Sequence, residues 1–260
     1  MIMVFVASGC NVSAPRIRLG TLPTPPPRSR FVDSKNLGKH SYYFNPFKKN
    51  GIVYTCKAGH IDTSHLRWSA DYTRYLTKKT YKTLIKNKKG FSFNLALEPS
   101  THYINFDYPE NWKTLDKKDK EKIADEISLA MGQYLAFNAT LLHEILSWFG
   151  TKCMGIGTEF NSAFSWEDIF SNLLGTRMAA QAVHSKYGYN KAMEIAIDEE
   201  LEKLGVQSKE TAILASRKMN GKWYRGLFLV DVKKEISTLV WMDMSRQLLF
   251  LILMNVIIQS

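Results

Sequence analysis

Residues 56–68 read CKAGHIDTSHLRW, and this stretch marks the point where the chain passes from a strand into a long helix. The carboxylate of Asp62 can cap a helix that continues to about Lys86, because aspartate is a preferred residue at that position. His65 then falls in the first helical turn. The stretch therefore predicts the start of a helix, and it leaves open whether the same side chains also hold a ligand.

The pattern His-x-Asp-x-x-His places three metal-binding side chains, His60, Asp62 and His65, within six residues. In an extended chain, residues two apart project to the same side, and entry into a helix brings His65 back over the turn. Two imidazoles and a carboxylate facing one point suit zinc or another divalent transition metal. These residues are predicted to be metal ligands, with zinc as the expected ion. The alternative is a simple helix cap.

A second pattern, LLHEILSWFG at residues 141–150, contains His143 followed by Glu144. It repeats the first half of the zinc motif H-E-x-x-H, but Ser147 occupies the place of the second histidine. In the functional interpretation His143 is a fourth metal ligand and Glu144 is a catalytic base. The alternative is a solvated pair, although small residues such as Ala136 on the same side favour a helix with His143 in a cleft.

A third group of polar residues lies in FSWEDIFSNLLG at residues 164–175. Asp168 completes a capping box with Ser165 at the start of a helix. Glu167 is predicted to orient a histidine of the metal site through a hydrogen bond. The alternative for Glu167 is a surface carboxylate that interacts favourably with the helix dipole.

The cysteines allow two alternatives. Cys56 and Cys153 could form a single disulfide in an oxidising compartment. Otherwise Cys56 is a free thiol that acts as a catalytic nucleophile, with His60 or His143 as its base. An oxidised sulfur cannot attack a substrate, so the two alternatives exclude each other.

The chain ends predict export and attachment to a membrane. Small residues precede Cys10, as in a bacterial lipoprotein processing site, so Cys10 is the predicted site of lipid attachment. Residues 1–10 are interpreted as the remnant of a lipoprotein signal and residues 11–38 as a proline-rich, extended tether. Residues 39–237 are then a single globular domain. Residues 238–260 form an apolar tail that is interpreted as truncated or out of frame.

The net charge of +11 is concentrated in one lysine-rich stretch. Such a surface attracts an anionic component of the cell envelope, either a cell-wall polymer or lipid headgroups. The alternative is a solvated helix face. No zinc-finger spacing, RNA-recognition signature or basic zipper accompanies the lysines, so no nucleic-acid partner is expected. The lysines are Lys78, Lys79, Lys82, Lys86, Lys88 and Lys89.

Apolar periodicity predicts an α+β protein that is predominantly α-helical, with small antiparallel β-hairpins. An apolar fraction of 45% is sufficient for a sizeable core. The predicted helices after the first cover residues 116–149, with a break at Asn138, then 166–186, a helix from Asn190 to Gly205, and 208–219. Hairpins are predicted at 40–56 and 91–109, and strand character returns at 221–236.

Three blocks together resemble a known family. They are GIVYTCKAGHIDTSHLRWSADYTRYL (51–76), HEILSWFG (143–150) and FSWEDIFSNLLGTRMA (164–179), and they follow a lipoprotein-like start. In this order they resemble bacterial envelope proteins grouped as domain of unknown function 4056, over about residues 10–235. The resemblance implies a bacterial, exported lipoprotein, located in the periplasm or anchored to the outer membrane. It implies no reaction.

Three functional hypotheses follow. The first is a metal-dependent hydrolase that acts on a cell-envelope substrate, with a metal-bound water and Glu144 as base. The second is a thiol hydrolase that uses Cys56. The third is a non-catalytic, lipid-tethered protein that binds a partner or the cell wall, with its histidines serving as caps and core polar groups. The distance between the separate histidine-bearing segments distinguishes the enzyme hypotheses from the third.

Overall fold

The computed structural model describes residues 13–16, 31–43, 49–96, 98, 100–149, 152–153, 157–158, 166–219, 224–225 and 231–232. Within them the predicted class is confirmed, because helices dominate and the strands form small antiparallel hairpins. The lipid-attachment residue Cys10, residues 17–30 of the predicted tether, Ser165 of the predicted capping box and the tail at 238–260 lie outside these residues. No helix in the described ranges is long and apolar enough to cross a bilayer.

The structure is arranged around one central helix, α1, which packs against α2 on one side and α3 on another. Four two-stranded sheets are described: β1–β2, β3–β4, β5–β6 and β7–β8. In chain order the helices and strands are β1 (Ile52–Thr55), β2 (Gly59–Asp62), α1 (Thr63–Ile85), β3 (Gly90–Phe93), β4 (His102–Asn105), α2 (Lys117–Trp148), β5 (Lys152–Cys153), β6 (Gly157–Thr158), α3 (Trp166–Val183), α4 (Tyr189–Lys203), α5 (Lys209–Lys218), β7 (Tyr224–Arg225) and β8 (Asp231–Val232).

Helix α1 begins where the sequence predicts. The carboxylate of Asp62 accepts a hydrogen bond of 2.6 Å from the backbone N–H of Ser64 and so caps the helix. The first half of α1 is buried on several sides, since its apolar residues alternate with small polar residues that bond to nearby carbonyl oxygens. Thr73 Oγ1, for example, donates to Ser69 O at 2.9 Å. Each such hydroxyl finds a hydrogen-bond acceptor in its own helix. A helix with many polar residues can therefore be buried.

Close approaches at two glycines fix the packing around α1. A Cβ at Gly132 of α2 would overlap Thr77 Oγ1, and a Cβ at Gly175 of α3 would overlap the carbonyl oxygen of Leu66 and the hydroxyl of Ser69. Only glycine allows the backbones to lie this close. The approach at Gly175 places the middle of α3 against the first turns of α1.

A buried guanidinium attaches the segment before β1 to the central helix. Arg67 is 2% exposed, and its Nη1 donates to the carbonyl oxygen of Lys49 at 3.0 Å while its Nη2 donates to that of Gly38. Nearby, His40 Nε2 lies 2.9 Å from Asp71 Oδ1. The side chains of Arg67 and Asp71 both belong to α1. This helix therefore positions the segment that precedes the first strand.

The predicted tether is packed on the domain at its C-terminal end. Phe31 is 4% exposed, and the backbone N–H of Val32 donates to the carbonyl oxygen of Ile52 at 3.1 Å. A 3₁₀ turn follows at Ser34–Asn36. The packed part of the described chain therefore already includes Phe31, ahead of the predicted domain boundary at residue 39.

The first hairpin was predicted in the wrong place. β1 pairs with β2 in the register Ile52 with Asp62, so the hairpin covers residues 52–62 and not 40–56. The reversal uses Thr55, whose Oγ1 accepts from the N–H of Ala58 and donates to the carbonyl oxygen of Gly59. The second hairpin, β3–β4, lies within the predicted residues 91–109 apart from its first residue.

Two details of the helices also differ from the prediction. Helix α2 continues through Asn138 without a break, because the side chain of that residue donates to the carbonyl oxygen of Tyr134 at 2.8 Å and leaves the helix intact. Helix α4 is capped by Gly188 and not by Asn190. The Asn190 side chain instead accepts from the backbone N–H of Tyr42 at 3.0 Å.

Candidate metal centre

Three side chains with metal-ligand chemistry converge where α1 and α3 begin. The ligand atoms of Asp62, His65 and Asp168 all lie within 4.8 Å of one another. Asp62 ends β2, His65 lies in the first turn of α1, and Asp168 lies in the first turn of α3. Ser171 Oγ of α3 accepts from the backbone N–H of Asp62 at 2.9 Å, which holds the first part of α3 beside the start of α1.

The spacing of these atoms fits a divalent cation. His65 Nε2 lies 3.6 Å from Asp168 Oδ1, with 12% and 5% of the two side chains exposed. Two ligands that each lie ~2.0–2.1 Å from a tetrahedral zinc are separated by roughly 3.3 Å. One nitrogen and two carboxylate oxygens also form a donor set that zinc and related transition metals accept. The three ligand atoms lie within 4.8 Å of one another, so separations of up to that value would have to shorten by up to ~1.5 Å to hold a zinc ion.

Two further carboxylates lie beside this group. Glu144 of α2 and Glu167 of α3 are 2% and 0% exposed. The negative charge of Glu144 contributes to the raised pKa of His65 and to that of Glu167. No other residue of the described chain forms a hydrogen bond with the carboxylate of Glu167, and only its own backbone N–H lies close enough to interact with it. Because an ionised carboxylate is costly to bury without a partner, this concentration of acids requires protons or a cation.

The charge balance of the site shifts two protonation equilibria. Burial alone would lower the pKa of His65, but the carboxylates of Asp168 and Asp62 raise it above its usual value. Burial, and after it the negative charge of Asp168, raises the pKa of Glu167 well above the usual value for a carboxyl. Without a cation, the site therefore favours a protonated histidine and a protonated glutamic acid.

We expect the protons on Glu167 and His65 to stabilise the metal-free protein less as the pH rises. The raised pKa of Glu167 means that the native state holds a proton that the unfolded chain has already released above about pH 4.3. The raised pKa of His65 acts in the same direction. The stability that protonated His65 contributes is lost as the pH rises through its pKa in the folded protein. The lowered pKa values of His60 and His102 act in the opposite direction, so the contribution of Glu167 is measured by comparing urea unfolding of the parent with that of a Glu167 variant, in a chelating buffer at pH 5 and at pH 8.

The control for this pH dependence is Glu167→Gln, which removes one of the two groups. Its free energy of unfolding should fall less steeply between pH 5 and pH 8 than that of the parent. An exposed carboxylate on the neighbouring helix, Glu126, provides the matched variant Glu126→Gln, which should retain the parent slope. A Glu167→Gln variant with the same dependence on pH as the parent would contradict the direction assigned to Glu167.

A histidine–carboxylate pair borders the site. His143 Nδ1 lies 2.6 Å from Glu98 Oε1, with 19% and 5% of the side chains exposed. The ring of Trp68 contacts both His143 and His65 edge to face, at centroid distances of 5.2 and 6.0 Å. His143 is therefore a neighbour of His65 across Trp68, and it is not one of the three converging ligands.

His60 does not lie with Asp62, His65 and Asp168. The sequence had predicted four metal ligands: His60, Asp62, His65 and His143. The Nε2 atom of His60 lies 3.2 Å from the carbonyl oxygen of Ala212, and its ring packs against Phe31 and Tyr54. Burial lowers the pKa of His60, and the bond to Ala212 opposes this only in part. The physical reason is that α5 covers β1 where His60 pairs with Tyr54, so the imidazole serves as a core polar group.

Cys56 is an exposed, free thiol in the turn between β1 and β2. Its backbone N–H donates to the carbonyl oxygen of Gly205 at 3.1 Å. His60 is buried against Ala212, and within the described ranges no side-chain contact joins the Cys56 thiol to a histidine. The predicted pairing with Cys153 involves a side chain outside the described residues.

The comparisons with known proteins identify the family and leave the activity open. The family model described as "Protein of unknown function (DUF4056)" matches residues 17–233. The chain belongs to this family. No curated protein and no solved structure matches the chain.

The sequence analysis did not predict two residues, Asp168 and Glu98, as parts of the candidate metal centre. Asp168 was predicted only as part of a capping box, although its adjacency to Glu167 in an apolar helix start was a signal of two buried acids. Glu98 lies between β3 and β4, and nothing in its local sequence indicates that it contacts His143 on α2. The sequence did single out Asp62, His65, Glu144 and Glu167, which the structure places in or beside one buried cluster.

Proposed function

We propose that the protein is a metal-dependent hydrolase that acts on a cell-envelope substrate. The observation that carries this proposal is the convergence of the ligand atoms of Asp62, His65 and Asp168 at a buried, acid-rich position. The orphaned carboxylate of Glu167 supports it, because an unpartnered buried acid next to three ligand atoms is explained by a cation that neutralises the cluster.

The roles of the side chains follow from their positions. A bound divalent cation supplies a water of lowered pKa, which is a hydrolytic nucleophile near neutral pH. Glu144, buried beside the ligands, would accept the proton of that water. His143, held by Glu98 and partly exposed, would donate a proton to the leaving group. Glu167 would orient the ligand side chains from its buried position beside them.

The proposed location is the bacterial cell envelope, in the periplasm or at the outer membrane. It is supported by the small residues before Cys10, which would be the point of lipid attachment and would connect the protein to the membrane. The proline-rich composition that follows is that of an extended tether. A substrate within reach of such a tether belongs to the envelope.

One observation favours a non-catalytic alternative. The Asp62 carboxylate already accepts a short bond from the N–H of Ser64, as an ordinary helix cap does. In this alternative the cluster is structural, with or without a cation, and the lipid-tethered domain binds a partner in the envelope. The thiol mechanism has less support, because no described contact joins Cys56 to a base.

The test combines metal analysis with a hydrolysis assay. The full chain, dialysed against zinc and then against metal-free buffer, should retain about one ion per chain and should release products from purified envelope fractions. Glu144→Gln should retain the ion but hydrolyse about 10²–10⁴-fold more slowly. Glu126→Gln, an exposed change on the same helix, should match the parent. Failure of the parent to bind any divalent ion would exclude the metal-dependent mechanism, and binding without hydrolysis would favour the non-catalytic alternative.

A further inference from the structure

The described chain is attached to the domain a short distance after Cys10. The hydroxyl of Tyr42 donates to the carbonyl oxygen of Ser13 at 2.9 Å, and Pro15 is buried. Ser13 follows Cys10 by three residues. A chain of this length spans at most about 11 Å, so Cys10 must lie within that distance of the attached Ser13. The reach of Cys10 from the domain is therefore set by these few residues, although the predicted tether covers residues 11–38.

Tyr42, which holds Ser13, is firmly packed in the domain. It is 3% exposed, and its ring contacts the rings of Tyr43 and Tyr189 edge to face at centroid distances of 5.2 and 6.1 Å. The guanidinium of Arg74 of α1 lies 4.2 Å from the centre of the Tyr42 ring and 4.8 Å from that of Tyr189. A cation that contacts two aromatic rings attracts both of them. Ser13 is therefore attached to α1 and α4 through one tyrosine.

Two exposed tyrosines lie beside this attachment point. Tyr43 is 62% exposed, and Tyr187, which precedes Tyr189 by two residues, is 58% exposed. The ammonium group of Lys186 lies 5.0 Å from the centre of the Tyr187 ring. We call Tyr43, Lys186 and Tyr187 the tyrosine face. Tyrosine favours the boundary between lipid headgroups and water, and lysine can place its charge there while its stem contacts apolar groups.

We infer that the tyrosine face contacts the headgroup region of the membrane into which a lipid on Cys10 inserts. This inference rests on the lipid attachment in the proposed function. A lipid on Cys10 places residue 10 at the membrane surface, and the bond from Tyr42 to Ser13 brings the adjacent part of the domain to the same surface. A lipid and a second contact with the membrane together hold a protein more stably than one signal alone. The domain then has a fixed orientation on the membrane and does not move at the end of a long tether.

The inference can be tested by hydroxyl-radical oxidation, which modifies exposed tyrosines and is read by mass spectrometry. The full chain carries Cys56→Ser and Cys153→Ser, so that only Cys10 reacts, and is coupled through Cys10 to a maleimide lipid in vesicles of phosphatidylethanolamine and phosphatidylglycerol. Oxidation of Tyr43 and Tyr187 should slow severalfold on coupling, because the membrane excludes the radical from the tyrosine face.

Tyr103 is the matched control within the same molecule. It is 75% exposed and pairs with Ser92, whose carbonyl oxygen binds Lys79 of α1. Lys79 lies about 140° around the helix from Arg74, so Tyr103 belongs to a different side of α1 from the tyrosine face. Its oxidation rate should be the same in coupled and uncoupled protein.

Two insertions test whether the attachment at Ser13 sets the orientation. About twelve glycine and serine residues inserted between Val12 and Ser13 raise the average reach of Cys10 from roughly 10 Å to roughly 20 Å and leave the bond to Tyr42 intact. Oxidation of the tyrosine face should then return towards the uncoupled rate. The same insertion between Leu22 and Pro23 lies beyond the attached Ser13, so this variant should stay as protected as the parent.

The inference is overturned if coupling leaves the oxidation of Tyr43 and Tyr187 unchanged, if Tyr103 slows equally, or if the two insertions act alike. Because the lipid is coupled chemically, these results do not depend on lipid attachment in cells. The mass of the Cys10 peptide from cells tests that attachment separately, and an unmodified Cys10 would contradict the proposed location.

Discussion

Replacing Asp168 with asparagine should abolish metal binding while leaving the fold intact. The substitution preserves size and one oxygen, but it removes the negative charge that lies 3.6 Å from His65 Nε2. Loss of one of three protein ligands leaves too few donors for a stable site. The metal content after dialysis should fall from about one ion per chain to less than about a tenth of that value.

Thermal unfolding gives a second measurement of the same change. Zinc at about 100 times its dissociation constant adds ~2.7 kcal/mol to the stability of a protein that binds it only when folded. For a domain of this size that corresponds to an increase in Tm of about 5–10 °C. The parent should show this increase, and Asp168→Asn should show almost none.

Two controls identify the ligands. Asp119 lies in the first turn of α2, as Asp168 lies in the first turn of α3, but it is exposed. Asp119→Asn should therefore leave metal binding unchanged. His143→Gln should also retain the ion, because His143 contacts Glu98 and is not one of the three converging ligands. Loss of the ion in His143→Gln would restore His143 as a ligand, and retention in Asp168→Asn would remove the proposed centre.

Replacing Gly175 with alanine should destabilise the protein and weaken the metal centre together. In an exposed helix this change would be favourable by about 1 kcal/mol. Here the added Cβ would overlap the carbonyl oxygen of Leu66, which belongs to the backbone of α1 and cannot turn aside. Overpacking of this kind costs about 1–3 kcal/mol. We expect a net loss of about 2 kcal/mol in the free energy of urea unfolding.

The effect on the metal follows from the same displacement. Moving α3 away from α1 separates Asp168 from His65, so zinc affinity measured by competition with a chelating dye should fall by about tenfold or more. Gly132→Ala is the informative comparison, because it overpacks α1 against α2 and not against α3. It should also lower stability, but with a smaller effect on zinc affinity. Equal losses of affinity in both variants would mean that general destabilisation, and not the α1–α3 distance, controls the site.

The elements with strong local signals could be predicted from the sequence. Asp62 caps α1 at the expected position, α2 covers nearly the whole predicted range, and Ser208 caps α5. Two predictions failed for different reasons. The side chain of Asn138 bonds within its own helix, which continues without the predicted break. β1 pairs with β2, and the Lys49 carbonyl oxygen binds Arg67 of α1, so the hairpin does not lie at 40–56.

In the candidate site, too, residues close in sequence could be predicted and residues brought together by packing could not. Residues close in sequence, such as Asp62 and His65, were recognisable because their spacing alone brings them together. The contribution of Asp168 depends on the packing of α3 against α1, and the contact between Glu98 and His143 depends on a loop that meets a distant helix. His60 and Asp62 lie two residues apart in β2, so the strand pattern predicts that both face the same side. The environment of His60 is nevertheless determined by its contact with Ala212 of α5, which the sequence of β2 does not indicate.

The guanidinium of Arg67 has a mechanical consequence. It binds the carbonyl oxygen of Gly38 and lies two residues from His65 on the same helix. A pulling force applied to the chain directly ahead of Phe31 is carried first by the bond from Val32 to Ile52 and only then by the bond from Arg67 to Gly38. The start of α1 around His65 is in this way shielded from tension in the N-terminal segment.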